Sequence, residues 1–112
     1  MLIKRGNVVL VDLGKASGSI QAGTRPVVVI QNDIGNTYSP TFIAIPITSK
    51  VNKRKLATHK VLEGYKDLIN QSTVIAEQIL TLNKTQIIKY ICHLKDEDIR
   101  AINEKISISL AL

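Results

Sequence analysis

The sequence predicts a mainly β domain closed by one C-terminal helix, folded as a small, strongly curved antiparallel barrel or sheet. Three observations point there. Six or so short apolar segments are separated by turn residues. No strand–helix–strand alternation of the kind a parallel sheet requires is present. Helical periodicity is confined to the chain from Lys95 onward. At 112 residues the chain can bury one core, so a single domain over residues 1–112 is expected. The apolar fraction is 45% with only four aromatic residues, which leaves a core of Ile, Val and Leu and favours strands.

The elements follow in order. Asn7 to Asp12 is nearly continuous in apolar residues and reads as a strand buried on both faces. Gly14 to Gly23 is a loop of small residues, long enough to be functional. Val27 to Gln31 is a second strand launched by Pro26, which holds Arg25 extended. Asn32 to Asn36 punctuates the chain, and a third strand runs from Thr41 to Thr48. Pro46 near its end implies an edge, a bulge or an early end to pairing. Ser49 to Ala57 is a polar, basic loop, Thr58 to Leu62 a fourth strand, and Ser72 to Leu82 a loosely alternating fifth. In that fifth strand either Glu77 or Gln78 must face something other than plain solvent. Asn83 to Gln86 forms a cap and turn, and Ile87 to Leu94 reads as a last strand. Asp96, Glu97 and Asp98 then open a helix whose Ile99, Ile102, Ile106 and Leu110 recur at three to four residues.

Charge and composition narrow the function. Net charge is +6, but residues 95–112 carry −1, so the first 94 hold twelve Lys and Arg against five carboxylates, a balance of +7 that suits an anionic partner. Cys92 is the only cysteine, which excludes an internal disulfide and a cysteine metal cluster. No apolar run reaches the ~20 residues that cross a bilayer, and Met1-Leu2-Ile3-Lys4-Arg5 has no signal-peptide core, so a soluble cytoplasmic protein without membrane contact is expected. The Walker loop, Gly-x-Ser-x-Gly, His-x-x-x-His and Cys-x-x-Cys patterns are missing, so neither a cofactor nor a metal is expected. His59 and His93 could in arithmetic serve as a base and acid pair, but their settings argue against it.

Arg25 stands where a glycine-rich loop meets a strand, a place from which a rigid sheet can present one side chain to a substrate. A structural ion pair explains it equally well. Thr48, at the end of the third strand, carries a hydroxyl able to donate to a phosphate oxygen, though a threonine in a strand needs no function.

A longer pattern adds to these positions: Arg5-Gly6, the eleven residues from Gly23-Thr24-Arg25-Pro26 to Gln31-Asn32-Asp33, Ser39-Pro40-Thr41, Ile47-Thr48, Thr58-His59, Glu77-Gln78-Ile79 and His93-Leu94. In order and spacing it closely resembles the MazF (PemK-like) toxins of bacterial type II toxin–antitoxin pairs, from Lys4 to the C-terminus. The resemblance implies a homodimer of SH3-like barrels of the CcdB/MazF kind. It implies an endoribonuclease that cuts single-stranded RNA at a short sequence without a metal, leaving 2′,3′-cyclic phosphate and 5′-hydroxyl ends. By motif it places catalysis on Arg25 and Thr48 and RNA contact on the strand glutamine Gln78, with Asn32 and Ser72 as further groove candidates. Lys50 and Lys53 of the basic loop would add phosphate contacts. The implied partner is an acidic, MazE-like antitoxin segment laid in the same groove. Gly6-Asn7 and Ile20-Gln21-Ala22-Gly23 depart from the family's usual Gly-Asp and Glu-Gln-Gly-Gly, and the second departure bars transfer of a cleavage sequence.

Two other readings stand beside this one. A gyrase inhibitor like the CcdB toxins depends on a tryptophan near the C-terminus, and this chain has none. A plain RNA-binding module would bind without cutting. For cleavage, a guanidinium with a pKa above ~12 is a poor general base but a well-matched donor to a phosphoryl group gaining charge. With so few aromatics, base recognition is expected to rest on loop backbone groups and on Asn, Gln and Ser side chains.

Overall fold

The computed structural model describes residues 2–15, 23–49, 56–69 and 71–112. Its elements in chain order are β1 (Asn7–Asp12), β2 (Thr24–Val29), α1 (Asp33–Tyr38), β3 (Thr41–Thr48), β4 (His59–Leu62), β5 (Ser72–Ile75) and β6 (Leu80–Asn83). A 3-10 turn over Lys84–Gln86, β7 (Ile87–His93) and α2 (Asp96–Leu110) complete it. Every pairing is antiparallel, along the path β4-β5-β3-β2-β1-β7, with β6 joined to β3 beside that path. The fold is therefore the mainly β, barrel-like sheet with one C-terminal helix that the sequence predicts, although the strand path is open.

Successive strand residues point to opposite faces, and β1 to β3 are apolar at nearly every position, so the sheet builds a core on each side. Val8, Val28, Ile45 and Ile47 pack with Leu62, Val74 and Ala76 of the β4–β5 region and with Leu94 and Ile102. Val9, Val11, Val27 and Val29 pack on the opposite face with Ile3, Phe42, Ala44 and Leu82. Burying one such aliphatic side chain contributes roughly 1.5–3 kcal/mol, so the paired cores are the main source of stability. On α2, Ile99, Ile102 and Ile106 face the first core as their spacing predicts, whereas Leu110 is half exposed.

Prolines decide where β3 finds partners. β3 pairs with β2 over Ala44–Pro46, with β6 over Thr41–Ala44 and with β5 over Ile47–Thr48. The Ile30 N–H donates to the Ile43 carbonyl at 3.0 Å, and alternation along the ladder turns the nitrogen of Pro46 away from β2. It points into the gap between β6 and β5, where no donor is needed. Pro46 thus marks a change of partner inside a central strand and not an edge, and pairing with β2 ends there as one of the sequence alternatives expects.

Three segments differ from their sequence-based expectation. The fifth strand, expected over Ser72 to Leu82, is two strands that pair with different parts of β3. The turn between them is closed by the Gln78 N–H on the Ile75 carbonyl at 3.0 Å. No Gly or Pro signals that turn. The punctuation after β2 is a short helix, α1, whose N-cap Asn32 accepts from the Gly35 N–H at 2.8 Å. β2 begins at Thr24, three residues before the expected Val27, because Thr24, Arg25 and Pro26 lie in register against β1, and it ends at Val29 before Gln31.

Polar ties fix the ends of the sheet. Gly6, at φ +93, donates to the Val29 carbonyl and accepts from Leu94 N–H, and a Cβ there would stand 2.6 Å from the Ile99 side chain of α2. Arg5 donates to the Ile30 carbonyl and to Asn103 on α2, and its backbone N–H reaches Asp33 at 2.7 Å, holding that carboxyl below its ordinary pKa. The Tyr65 hydroxyl donates to Asp98 and accepts from the Lys95 N–H at 2.8 Å, joining the loop after β4 to the start of α2. Burial and the Asp98 contact push that phenol up to about 12. Glu77 accepts from Thr58 at 2.9 Å and from His59 at 3.0 Å, clasping β4 to the β5–β6 turn.

Two outcomes are expected. Tyr65→Phe deprives Asp98 of a donor and the Lys95 N–H of an acceptor, and should lower the urea midpoint by about 1–2 kcal/mol of stability at unchanged slope. Burial raises the Glu77 pKa, but hydrogen bonds from its own N–H, His59 and Thr58 outweigh it, so the folded value lies below the ordinary one. Its contribution is therefore complete above the unfolded pKa and is lost as pH falls through the folded value. Glu77→Gln should flatten the decline of stability below about pH 5, measured by urea unfolding across a pH series.

Candidate functional site

The ladder between β2 and β3 stops at Val27 opposite Pro46 although both strands continue. The Leu13 N–H on the Gly23 carbonyl at 2.9 Å fixes which β2 residues bond to β1. The same alternation aims the nitrogen of Pro26 at β3, and a proline has no hydrogen to offer there. A cleft of about 480 Å³ opens beside this point, lined by Leu10, Arg25, Pro26, Ile47, Ser49 and Ser72 and, opposite, by residues of β7 and of the loop before β5.

Arg25 enters this cleft from β2, held in register against Val11 of β1 and partly buried. Thr48 ends β3, buried and opposite Thr73 of β5. Thr48 stands two residues past Pro46, the last β3 residue paired with β2, and Arg25 two residues before its partner Val27, so both expected catalytic positions lie just beyond the end of that ladder. Ser72 lines the cleft too, buried, with its hydroxyl donated to the Ile69 carbonyl at 2.6 Å. A guanidinium at the rim of a floor made by Leu10, Pro26 and Ile47 suits a phosphate whose neighbouring groups are partly dehydrated.

The remaining candidates lie elsewhere. Gln78 sits in the β5–β6 turn and not on a strand, and is half buried. Asn32 serves as the α1 cap beyond the far end of β2, about 20 Å along the chain from Arg25 at strand spacing. Lys50 and Lys53 lie outside the described residues, as does most of the Gly14–Gly23 loop. His59 is engaged with Glu77 and His93 with Asn7 at 2.9 Å, on β4 and β7 at opposite ends of the strand path, so they form no acid–base pair. Among the described residues no group of His, Cys, Asp or Glu is arranged to hold a metal ion, and no helix is long and apolar enough to cross a membrane.

Sequence reasoning missed Lys89 and Tyr90, which form the β7 wall of the cleft. Tyr90 is half exposed there, so the site does contain an aromatic face. Plain alternation could not place it, because the β1–β7 register shifts on both sides of this pair. No sequence signal marks those shifts.

Comparison with known proteins gives one consistent answer. The family model described as the PemK-like, MazF-like toxin of type II toxin–antitoxin systems matches residues 4–110. The chain is 45% identical over 112 residues to the endoribonuclease MazF of Staphylococcus saprophyticus, covering 99% of this chain and 93% of that one. Among solved structures it is similar to MazF from Deinococcus radiodurans, with a TM-score of 0.86 at 17% identity over 100% of this chain and 99% of that one. It is also similar to a mycobacterial endoribonuclease solved with its cognate antitoxin, with a TM-score of 0.83 at 24% identity over 98% and 96% of the two chains. These likenesses establish the fold, and the sequence matches establish the lineage: the chain belongs to the PemK-like, MazF-like toxin family of type II toxin–antitoxin systems.

Proposed function

We propose that this chain is the toxin of a type II toxin–antitoxin pair and acts as an endoribonuclease on single-stranded RNA, with Arg25 and Thr48 as its catalytic residues. The observation that carries the reading is the family match over residues 4–110, supported by a cleft lined by Arg25 beside the point where the β2–β3 ladder ends. In the reaction a ribose 2′-oxygen gives up its proton and bonds to the adjacent phosphorus. The bond from phosphorus to the 5′-oxygen breaks, and that oxygen takes up a proton. The products are a 2′,3′-cyclic phosphate and a 5′-hydroxyl end, and no metal is required.

Arg25 is the donor to the phosphoryl oxygens on which charge accumulates, and its planar fork of N–H groups matches them. Its high pKa keeps it cationic throughout, so it stabilises charge and does not start the reaction as a base. Thr48 orients the scissile phosphate through its hydroxyl. The sheet that carries both residues is buried on both faces, which holds them in place for an in-line displacement. Ser72 and Gln78, with Asn32, Lys50 and Lys53, serve RNA binding around this centre.

The whole chain of 112 residues acts as one domain, and it works in the cytoplasm, where its RNA substrate lies. Ile108, Leu110 and Leu112 stay exposed at the end of α2, an apolar surface suited to a second copy in a homodimer. The basic charge balance suits an acidic antitoxin segment that competes with RNA.

The test maps new 5′ ends after a long single-stranded RNA is incubated with wild type, Arg25→Ala and Thr48→Val, with and without EDTA. Arg25→Ala should slow cutting by about 10²–10³-fold, the cost of removing one aimed donor. Thr48→Val should slow it by roughly 10-fold or more, the value of a hydrogen bond to a charged group. EDTA should change nothing, and DNA, lacking the 2′-hydroxyl, should remain whole. Equal cutting by Arg25→Ala would remove that residue from the chemistry.

A further inference from the structure

We infer that Lys89 and Tyr90 of β7 form a nucleobase-binding subsite, in which the Tyr90 ring stacks on a base of the nucleotide next to the scissile phosphate and Lys89 holds that nucleotide's own phosphate. The inference rests on the reading of the cleft as the RNA site and adds a specificity element to it.

Four observations converge. Lys89 and Tyr90 line the same cleft as Arg25, on the wall opposite β2. β7 stands two strands from β2, across β1, which places the wall about 10 Å from Arg25 at the usual strand spacing. That is a span one nucleotide can bridge when its phosphate lies at the guanidinium. β7 is not a regular strand there. Its register against β1 shifts between Val8 and Val9 and again between Leu10 and Val11, so a bulge lies on each side of the Lys89–Tyr90 pair. Bulges re-aim side chains and interrupt regular pairing, and two within one seven-residue strand reset the alternation on either side of this pair, both members of which line the cleft.

Exposure and charge choose the occupant. Tyr90 is 50% exposed and Ile69 beside the cleft 70%, an apolar face of the kind that a flat ring covers. Among the described residues neither the Lys89 ammonium nor the Tyr90 hydroxyl has a side-chain hydrogen bond or ion pair, so the ring is not fixed by a polar partner and the ammonium is not neutralised. An aromatic face with a cation at its edge, in a chain of net charge +6, fits a base joined to a phosphate better than an apolar protein surface. Because every base has a stacking face, the subsite contributes affinity for single strands. Selection among bases falls to Asp67 and Ser49 at the cleft, whose acceptor and donor groups can reach a base edge.

The experiment uses a short 2′-O-methyl RNA pool, which binds but has no 2′-hydroxyl to react, and a matching series with one abasic position moved along the strand. Tyr90→Ala should weaken binding of the pool about 10-fold or more, the value of one stacked base, while Tyr90→Phe should keep it within about 2-fold. In wild type one abasic position should cost a similar factor, and in Tyr90→Ala the same position should cost nothing. Lys89→Ala should weaken binding and lower its dependence on salt by about one phosphate contact. Unfolding midpoints of the variants, compared in parallel, identify any loss of fold. Unchanged binding by a folded Tyr90→Ala overturns the subsite, as does a Tyr90→Ala that binds weakly but shifts sedimentation from dimer to monomer, which would make the ring part of a protein interface. The two readings fail separately. A wild type that binds the pool through Tyr90 but cuts no natural RNA overturns the nuclease and supports the subsite. One that cuts RNA with Tyr90→Ala equal to wild type in binding and rate does the reverse.

Discussion

The amide hydrogen that Pro26 lacks sets the geometry of the functional end of this molecule. β2 and β3 lie side by side in the middle of the sheet, and their ladder stops one residue short of the proline that has no hydrogen to offer it. Beside that point opens the cleft that Arg25 lines. The same proline stays in register with Leu10 of β1, so Arg25 is carried on a strand firmly paired on its other side. The hydrogen bond given up at Pro26 is worth only about 1 kcal/mol in stability, a small cost for an open sheet end.

The opposite end of the sheet answers a different demand, that of holding α2. Gly6 bonds to both β2 and the end of β7, and only its lack of a side chain lets Ile99 approach. Arg5 spans from the Ile30 carbonyl to Asn103, and Tyr65 bridges to Asp98 from the far side. Family resemblance alone marked Arg5-Gly6. The structure supplies the reason, a close helix–sheet approach with a guanidinium to tie it down.

Regular elements were legible in the sequence where local pattern and tertiary pairing agree. β1, β3 and β7 fall within a residue of their expected bounds, and the Ile99, Ile102 and Ile106 stripe faces the core. Legibility failed where pairing overrides pattern. The turn at Ala76–Ile79 contains no turn-forming residue and exists because β3 has two partners offset from one another, a fact located in a different segment of the chain. Arg25 and Thr48 could be singled out together only through resemblance, since where two strand ends lie depends on their register and not on local pattern. Tyr90 was hidden by bulges, which reset the two-residue period without a mark in composition. The expectation that base recognition rests on loop backbone groups and on Asn, Gln and Ser side chains came from counting aromatics, and a count does not say that Tyr90 lines the cleft.

Burial on both faces of β1, β2 and β3 has a consequence for how such a protein can diverge. A strand with one solvated face keeps half of its positions open to change, but here alternate residues fill two separate cores, and a substitution on either side disturbs packing. The central strands are therefore the conservative part of the molecule for mechanical reasons. New target preferences must be acquired at its margins, in the loops around the cleft and on β7, which has a neighbour on one side of the strand path only.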